Sequence, residues 1–468
     1  MKRPILVLLI CCISSSVFSQ LTNAAKMNRF LDSLIKLMTL EEKVGQMNQY
    51  NGFWDVTGPA PTGGTAEEKY KNIKKGLVGS MLSVRGVKEV KAVQKIAVEE
   101  TRLGIPLLFG FDVIHGYKTI SPIPLAEAAS WDLKAMELSA RIAATEAAAS
   151  GIHWTFAPMV DISRDPRWGR VMEGAGEDTY LGSKIAFARV KGFQGNKLGD
   201  LDAVMACAKH FAAYGAASGG RDYNSVDMSD RMLWETYLPP FKAAVDANVA
   251  TFMNAFNDIN GIPATANKYI QRDILKGKWN YQGFVVSDWG SIGEMVAHGY
   301  CNDNKEAAEK AILAGSDMDM ESNAYRFNLA QLVAENKVPM SIVDEAVKRI
   351  LRKKFELGLF DDPFKFCSKE RQEKALNNPE HAKIARDVAA KSIVLLKNDN
   401  QILPLSKETK TIAFIGPMVK PKRINHGFWA VDLKEIDSTY IVSQWEGLEN
   451  KVSKTTKLLY IDLRDLIK

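Results

Sequence analysis

The sequence predicts an α/β fold built on a (β/α)8 barrel of the TIM type, followed by the start of an α/β-sandwich domain. Short apolar runs alternate with longer amphipathic stretches from about residue 25 to residue 360, and repeated strand–helix units favour a parallel sheet. Seven such units are visible, which fits a barrel with one strand degraded or unrecognised. The alternative is a doubly wound open sheet, but no glycine-rich dinucleotide turn follows any predicted strand.

The predicted strands are short apolar runs, several of which end on a polar side chain. In chain order they cover residues 79–83, 105–112, 153–161, 203–211, 249–256, 283–288 and 316–320. Amphipathic segments predict helices at residues 87–100, 125–149, 180–193, 232–247 and 341–355. Helices therefore separate the parallel strands, as a barrel requires.

A second unit is predicted after the barrel, which we assign to residues 25–360. Gly358 ends the last barrel helix, and the polar segment 361–380 contains two prolines and is predicted to be a linker. Residues 381–468 begin the sandwich domain, with a helix at 381–391, an apolar segment at 392–396 and a strand at 411–417. This length is short for an α/β domain with its own core, so we expect a truncated domain.

The first 19 residues are typical of a signal peptide. Lys2 and Arg3 precede an apolar core at 5–13, and small-residue spacing at 17–19 provides a cleavage site. The apolar run is too short to span a bilayer. We therefore expect an exported protein without a membrane span, either periplasmic or secreted.

Charge and cysteine content exclude other classes. The net charge of +6 is small for 468 residues, and Lys and Arg are scattered rather than gathered into the basic stripe of a nucleic-acid-binding protein. Three cysteines remain after signal cleavage, Cys207, Cys301 and Cys367. Their spacing gives neither a disulfide framework nor a metal-ligand pattern, so we expect them to be structural and predict no metal or cofactor.

Polar side chains follow the predicted strands at their carboxyl ends, which form the active face of a barrel. Sugars are bound by carboxylates and bases that hydrogen-bond adjacent hydroxyls, with an aromatic ring against the apolar face of the pyranose. Singly, each such residue is equally consistent with a helix cap or a loop contact. Together they favour catalysis, with Asp288 held ionised by a lowered pKa beside cationic groups. The candidate set is Asp112, Arg170, Lys209, His210, Asp288 and Trp289.

The same residues lie in motifs that resemble those of glycoside hydrolase family 3, in particular its exported bacterial β-glucosidases. The resemblance continues in order through the barrel and into AAKSIVLLKNDNQILPL at 389–405. The barrel motifs are FDVIHG (111–116), RDPRWGRVMEGAGEDTYL (164–181), ACAKHFAAYGA (206–216), GGRDYNSVDMS (219–229), LPPFKAAV (238–245) and GFVVSDWGSI (283–292).

This resemblance implies a retaining, exo-acting β-glucosidase that removes terminal β-D-glucosyl or related residues from oligosaccharides or other β-glucosides without a cofactor. It implies that Asp288 is the nucleophile that forms a glycosyl–aspartate intermediate, and that Trp289 flanks the aglycone. Arg221 and Asp222 lie in a loop similar to the family's substrate-lining loop. The residues implied to hold the hydroxyls of the non-reducing-end sugar are Asp112, Arg170, Lys209 and His210.

The resemblance stops at about residue 460, and the final IDLRDLIK does not match. In the resembled enzymes the acid/base is a glutamate located further along the second domain, so we expect that group to be missing here. One family branch uses a His–Asp dyad on a barrel loop, but the loop at 212–224 contains no histidine. The remaining alternatives are an acid from a partner chain or from a barrel carboxylate such as Asp222, or a truncated remnant that binds sugar or is inactive.

Overall fold

The computed structural model describes residues 24–52, 65–427, 429–430 and 441–462. The predicted signal peptide at 1–19 and the final residues 463–468 lie outside these ranges.

Parallel strands at the centre of the first unit form a closed ring. The strands are β1 (Asn48–Asn51), β2 (Ser80–Leu82), β3 (Leu108–Phe111), β4 (Trp154–Thr155), β5 (Cys207–Phe211), β6 (Thr251–Asn254), β7 (Phe284–Val286) and β8 (Asp319–Met320). One ladder has the order β8-β1-β2-β3-β4 and a second has the order β5-β6-β7. Parallel bridges between Trp154 and Met205 and between Val286 and Met318 join the two ladders, which confirms the predicted barrel.

Strand β1 is the barrel strand that the sequence does not reveal. Its residues are Asn-Gln-Tyr-Asn, all of them buried, so it has neither an apolar run nor alternation. The amide groups of two of these side chains are bound by residues in or next to β2: Asn48 Nδ2 donates to the Leu77 carbonyl at 3.1 Å, and Gln49 Nε2 donates to Ser80 Oγ at 2.7 Å, while the two amide oxygens have no partner among the described residues. Hydrogen bonds therefore permit a polar strand inside the barrel.

Helices surround the ring. They cover residues 24–37, Leu40–Gln46, Thr65–Lys74, Val87–Glu99, Pro124–Ala128, Leu133–Ala149, Thr179–Gln194, Pro239–Asp246, Ser291–Ala297, Asn304–Ala314, Ala324–Ala334 and Met340–Glu356. A ten-residue π-helix covers Tyr269–Lys278. Short 3₁₀, α and π turns occupy Val171–Glu173, Tyr214–Ala216, Ser218–Gly220, Asp230–Met232, Leu233–Tyr237 and Ala264–Ala266, and a hairpin pairs Asp258–Ile259 with Ile262–Pro263. None of the helices in the described part of the chain is long and apolar enough to cross a bilayer.

Two helices predicted as single elements are interrupted. The segment 125–149 forms two helices, because Trp131 adopts a positive φ of 56° and the Asp132 side chain caps the second helix at Ala135 N. The segment 232–247 breaks before Pro239, where a proline cannot donate the backbone hydrogen bond that a continuous helix needs.

Aromatic side chains fill the barrel interior. Trp154 is fully buried, lies 4.8 Å from the Phe156 ring and 5.1 Å from the Phe284 ring, and donates its indole N–H to Thr251 Oγ1 at 2.8 Å. One side chain on β4 thereby contacts β6 and β7, two strands that are not its neighbours in the ring. The barrel is a packed core, as expected for eight strands.

The second unit is a two-stranded parallel sheet with short helices. The strands are β9 (Thr411–Ile415) and β10 (Lys457–Ile461), and helices cover Lys369–Leu376, Pro379–Lys391, Arg423–His426 and Gln444–Glu449, with a 3₁₀ turn at Asp399–Gln401. The predicted linker at 361–380 thus contains a helix. The apolar segment at 392–396 forms no strand, and Leu396 is 91% exposed.

Candidate active site

A pocket of about 500 Å³ opens at the carboxyl ends of the barrel strands. Strand ends and the loops that follow them supply most of its wall, and one side chain comes from beyond the barrel. The residues that line it are Leu82, Ser83, Asp112, Phe156, Gly169, Arg170, Met172, Glu173, Lys209, Asp222, Tyr223, Met253, Phe256, Asp288, Trp289, Met320 and Trp429.

Asp288 lies just beyond the end of β7. The loop that carries it is fixed to β8, since Ser287 N donates to the Met318 carbonyl at 2.8 Å and Gly290 N donates to the Met320 carbonyl at 2.9 Å. Asp288 Oδ1 accepts from Trp289 N at 2.7 Å, whereas Oδ2 has no hydrogen-bond partner among the described residues. One carboxylate oxygen is therefore held in place and the other is left for a ligand.

The prediction that Asp288 has a lowered pKa is wrong. Burial raises its pKa to about 6, because only 8% of the residue is exposed and the charged form loses hydration. Arg170 and Lys209 act in the opposite direction but do not offset the burial. Nearby His210 is neutral rather than cationic, since burial, Arg170 and Lys209 hold its pKa well below the ordinary value.

A buried ionic cluster forms the polar wall of the pocket. Lys209, on β5, lies with Nζ 3.3 Å from Asp112 Oδ1 and 3.9 Å from Glu173 Oε2. Arg170 binds the two oxygens of Glu173 through Nε and Nη2 at 2.7 and 3.1 Å. Although burial acts to raise the pKa of Glu173, Lys209 and Arg170 together hold it below the usual value. Glu173 therefore orients both cations as a carboxylate.

The sequence-based prediction omitted Glu173, which lies inside one of the quoted motifs. Its signal is the spacing: Arg170 and Glu173 are three residues apart, a distance that brings side chains together on one face of a helical turn. Asp112 was predicted and lines the pocket beside Lys209, but burial raises its pKa in spite of that cation.

His210 lies behind Asp288 and is fully buried. Its Nδ1 is 2.8 Å from Asp161 Oδ2, and its Nε2 is 3.6 Å from Asp288 Oδ2. The Asp161 carboxylate also accepts from the backbone N–H groups of His210 and Tyr214, at 2.8 and 3.2 Å. The histidine is thus oriented from one side and faces the pocket carboxylate on the other.

Of the two predicted residues of the 219–229 loop, one lines the pocket and the other does not. Asp222 lines the pocket, where its Oδ1 accepts from the Trp168 indole N–H at 2.8 Å. Arg221 is exposed and is not among the pocket residues. Tyr223, which was not predicted, lines the pocket and packs on Phe256 with ring centroids 4.4 Å apart.

Two tryptophans border the pocket. Trp289 was predicted and is 43% exposed, so its ring is open to a ligand. Trp429 comes from the second unit, and the Lys209 ammonium lies 5.4 Å from the centre of its ring. The segment carrying it rests on the barrel, where Gly427 passes so near His115 that an added Cβ would lie 3.3 Å from the imidazole. No local motif indicates Trp429, since its contact depends on the docking of the second unit.

Comparison with known proteins identifies the family. A sequence profile described as "Glycosyl hydrolase family 3 N terminal domain" matches residues 39–353, and one described as "Glycosyl hydrolase family 3 C-terminal domain" matches residues 393–462. The chain belongs to glycoside hydrolase family 3. The family resemblance seen in the sequence motifs is therefore confirmed.

Family 3 relatives with curated names support the same assignment. A periplasmic β-glucosidase from Salmonella typhimurium is 40% identical over 434 residues, which cover 92% of this chain and 55% of that protein. A putative β-xylosidase from Formosa agariphila is 34% identical, over 83% of this chain and 53% of that protein.

Solved β-glucosidase structures share the fold. The structure of a β-glucosidase from Listeria innocua in complex with glucose superposes with a TM-score of 0.85 at 38% identity, over 93% of this chain and 60% of that one. A mutant of that enzyme in complex with laminaribiose superposes with a TM-score of 0.87 over the same shares of the two chains. The chain spans about half the length of the curated relatives that it matches.

Proposed function

We propose that this chain carries the part of the active site of a retaining, exo-acting β-glucosidase in which the glycosyl–enzyme intermediate forms. Asp288 attacks the anomeric carbon of a terminal non-reducing β-D-glucosyl, or related, residue and forms a covalent glycosyl–aspartate intermediate, which water then hydrolyses. The observation that carries the proposal is the position of Asp288: buried at a barrel strand end, with Oδ2 unpartnered among the described residues and a sugar-sized pocket in front.

The pocket supplies the other contacts that a sugar requires. Asp112, Lys209 and the Arg170–Glu173 pair present charged hydrogen-bonding groups on one wall, and such groups bind hydroxyls more strongly than neutral ones. Trp289 and Trp429 add flat apolar surfaces to the pocket wall. We propose that the ionic wall, formed by Asp112, Lys209, Arg170 and Glu173, binds the terminal sugar and that the two indoles contact the aglycone.

The general acid is the second requirement of the reaction. Glu173 is a poor candidate, because its two cations hold its pKa low and keep it ionised. Asp222 lies on the pocket wall, and in this proposal it is the barrel carboxylate that would replace an acid from elsewhere. Without a general acid, a reaction slows by about 10²–10⁴-fold, and substrates with acidic leaving groups suffer least.

The test uses a dinitrophenyl β-glucoside, whose leaving group needs little protonation. Released dinitrophenol and intact protein mass are followed together. We expect a burst of one equivalent, with one hexosyl group retained on the protein, and neither in an Asp288→Asn variant. Folded protein that gives no release and no adduct would contradict the proposal.

Two further experiments identify the general acid and the preferred sugar. Asp222→Asn tests whether Asp222 is the general acid. If Asp222 protonates the leaving group, the variant should lose much activity on an alkyl glucoside and little on the dinitrophenyl glucoside. A dinitrophenyl β-xyloside compared with the glucoside decides the preferred sugar, which the β-xylosidase relatives make a relevant comparison.

We also propose export to the periplasm or the extracellular medium. Support comes from the signal-like first 19 residues and from the name of the periplasmic relative. Fusion of residues 1–25 to a reporter enzyme that works only after export tests this, with a Lys2→Glu/Arg3→Glu fusion as the matched control.

A further inference from the structure

Asp161 is fully buried behind His210 and outside the sugar pocket. Three nitrogen atoms surround its carboxylate: the backbone N–H of His210 donates to Oδ2 at 2.8 Å, the backbone N–H of Tyr214 donates to Oδ1 at 3.2 Å, and the His210 ring Nδ1 lies 2.8 Å from Oδ2. Backbone N–H groups can only donate, so both oxygens of Asp161 act as acceptors. These donors favour the ionised form, but burial outweighs them and raises the pKa of Asp161 to about 7, so the group is a carboxylate above that pH.

This arrangement determines which ring nitrogen of His210 carries the proton. Above the pKa of about 7 both oxygens of Asp161 can only accept, so the 2.8 Å contact between Nδ1 and Oδ2 then requires a proton on Nδ1. Because the ring is neutral, Nε2 then has a lone pair and no proton. The histidine therefore faces the pocket as an acceptor.

The opposite side of the ring contains a second acceptor. His210 Nε2 lies 3.6 Å from Asp288 Oδ2, and neither atom has a hydrogen-bond partner among the described residues. Two facing acceptors without a proton between them are unfavourable in a buried site. An oxygen that carries a proton and lies within hydrogen-bonding distance of both atoms resolves this conflict.

We propose that Asp161 is a positioning residue that fixes His210 as the Nδ1–H tautomer, so that Nε2 and the nucleophile Asp288 share one substrate hydroxyl between them. The hydroxyl is the one on the carbon next to the anomeric carbon. When one oxygen of Asp288 attacks the anomeric carbon, that neighbouring hydroxyl is the substituent beside the carboxylate, where its hydrogen bonds strengthen in the transition state. This inference rests on the proposed function and adds a source of specificity for 2-hydroxy sugars.

The first test needs no turnover. The full chain is labelled with ¹⁵N-histidine, and its six histidines are observed by two-bond ¹⁵N–¹H correlation at pH 8, above the pKa of about 7 that burial gives Asp161. The His210 signal is assigned by its loss in His210→Gln. We expect the Nδ1–H pattern in the wild type, and an Nε2–H or mixed pattern in Asp161→Asn. A wild-type Nε2–H or imidazolium pattern overturns the proposal even if the Asp161 variant does not fold.

The matched control is Asp319→Asn. Asp319 is equally buried and accepts backbone N–H bonds from Ser322 and Tyr325. Its replacement should leave the His210 signal in the Nδ1–H pattern.

The second test measures coupling to the hydroxyl. Asp161→Asn should lower kcat/KM for the dinitrophenyl glucoside by at least about tenfold, by analogy with the loss of a tautomer-fixing aspartate elsewhere. For the corresponding dinitrophenyl 2-deoxy-β-glucoside, kcat/KM of the same variant should fall less than about threefold, because that substrate lacks the shared hydroxyl. Equal losses on both substrates contradict the shared hydroxyl. Absence of turnover with either substrate refutes the proposed function, while the histidine signal still decides the role of Asp161.

Discussion

The barrel and the second unit place their apolar side chains in opposite environments. In the barrel, large side chains such as Trp154 and Phe284 are completely buried. In the second unit, Ile393 is 80% exposed, and β9 and β10 alternate between exposed and half-buried residues. Burial is the main source of folding free energy, so the barrel supplies most of the stability and nearly all of the site. The second unit contributes Trp429.

The largest expected difference is in stability. Trp154→Ala removes the buried side chain that joins β4 to β6 and β7, and the free energy of unfolding should fall by about 3–5 kcal/mol. Leu396→Ala is the matched change in the second unit, and it should stay within about 0.5 kcal/mol because the side chain is already in water. Urea unfolding followed by near-ultraviolet circular dichroism measures both. Similar losses for the two variants would refute the contrast.

The next effect concerns the ionic wall. Glu173→Gln removes the carboxylate that holds Arg170 and Lys209, and hydrogen bonds to charged groups contribute about 1.5–3 kcal/mol. We expect kcat/KM for the dinitrophenyl glucoside to fall by roughly 10–150-fold, with most of the change in KM. Glu380→Gln, an exposed carboxylate of the second unit, serves as the control. A loss confined to kcat would argue against a binding role.

The third effect is the pH dependence of activity. Asp288 must be ionised to attack, so kcat/KM should decline as the pH falls through about 6, where its raised pKa lies. Arg170 favours the ionised form of Asp288. Arg170→Gln should therefore move this acidic limb of the pH profile to higher pH, by about one unit or 1.4 kcal/mol. Arg102→Gln, at the surface beside Glu42, should leave the limb in place. A limb that moves to lower pH in Arg170→Gln would contradict the assignment.

The smallest effect tests the contribution of the second unit to the site. Trp429→Ala removes the ring that lies over Lys209, a cation–π contact of about 0.5–2 kcal/mol. KM for an aryl glucoside should rise by roughly 2–30-fold with kcat nearly unchanged. Trp131→Ala, on the barrel surface, is the control and should change KM by less than about twofold. An unchanged KM in Trp429→Ala would assign the whole site to the barrel.

The barrel was predictable because most of its strands are apolar runs. Strand β1 was not, because it is built from buried polar residues whose amide hydrogen bonds to Leu77 and Ser80 form only when β1 pairs with β2. The exposure of residues 392–396 likewise depends on tertiary contacts that an apolar sequence does not specify.

The candidate site was predictable where residues follow strand ends. Asp112, Lys209 and Asp288 all come together in one pocket. The direction in which the pKa of Asp288 shifts was not predictable. The sequence shows the neighbouring cations but not the extent of burial, which dominates the shift. Trp429 was missed because its partner on β5 is far away in the sequence.

The closure of the barrel has a consequence for the order of folding. The ring is complete only when β1 pairs with β8, with Asn48 opposite Asp319, so its final contact joins residues separated by more than half of the chain. Contacts of such long sequence separation form slowly. The loop that carries Asp288 hydrogen-bonds to β8 through Ser287 and Gly290. The nucleophile therefore reaches its final position only after the last barrel strand has emerged during synthesis, and a nascent chain shorter than about 320 residues has no assembled site.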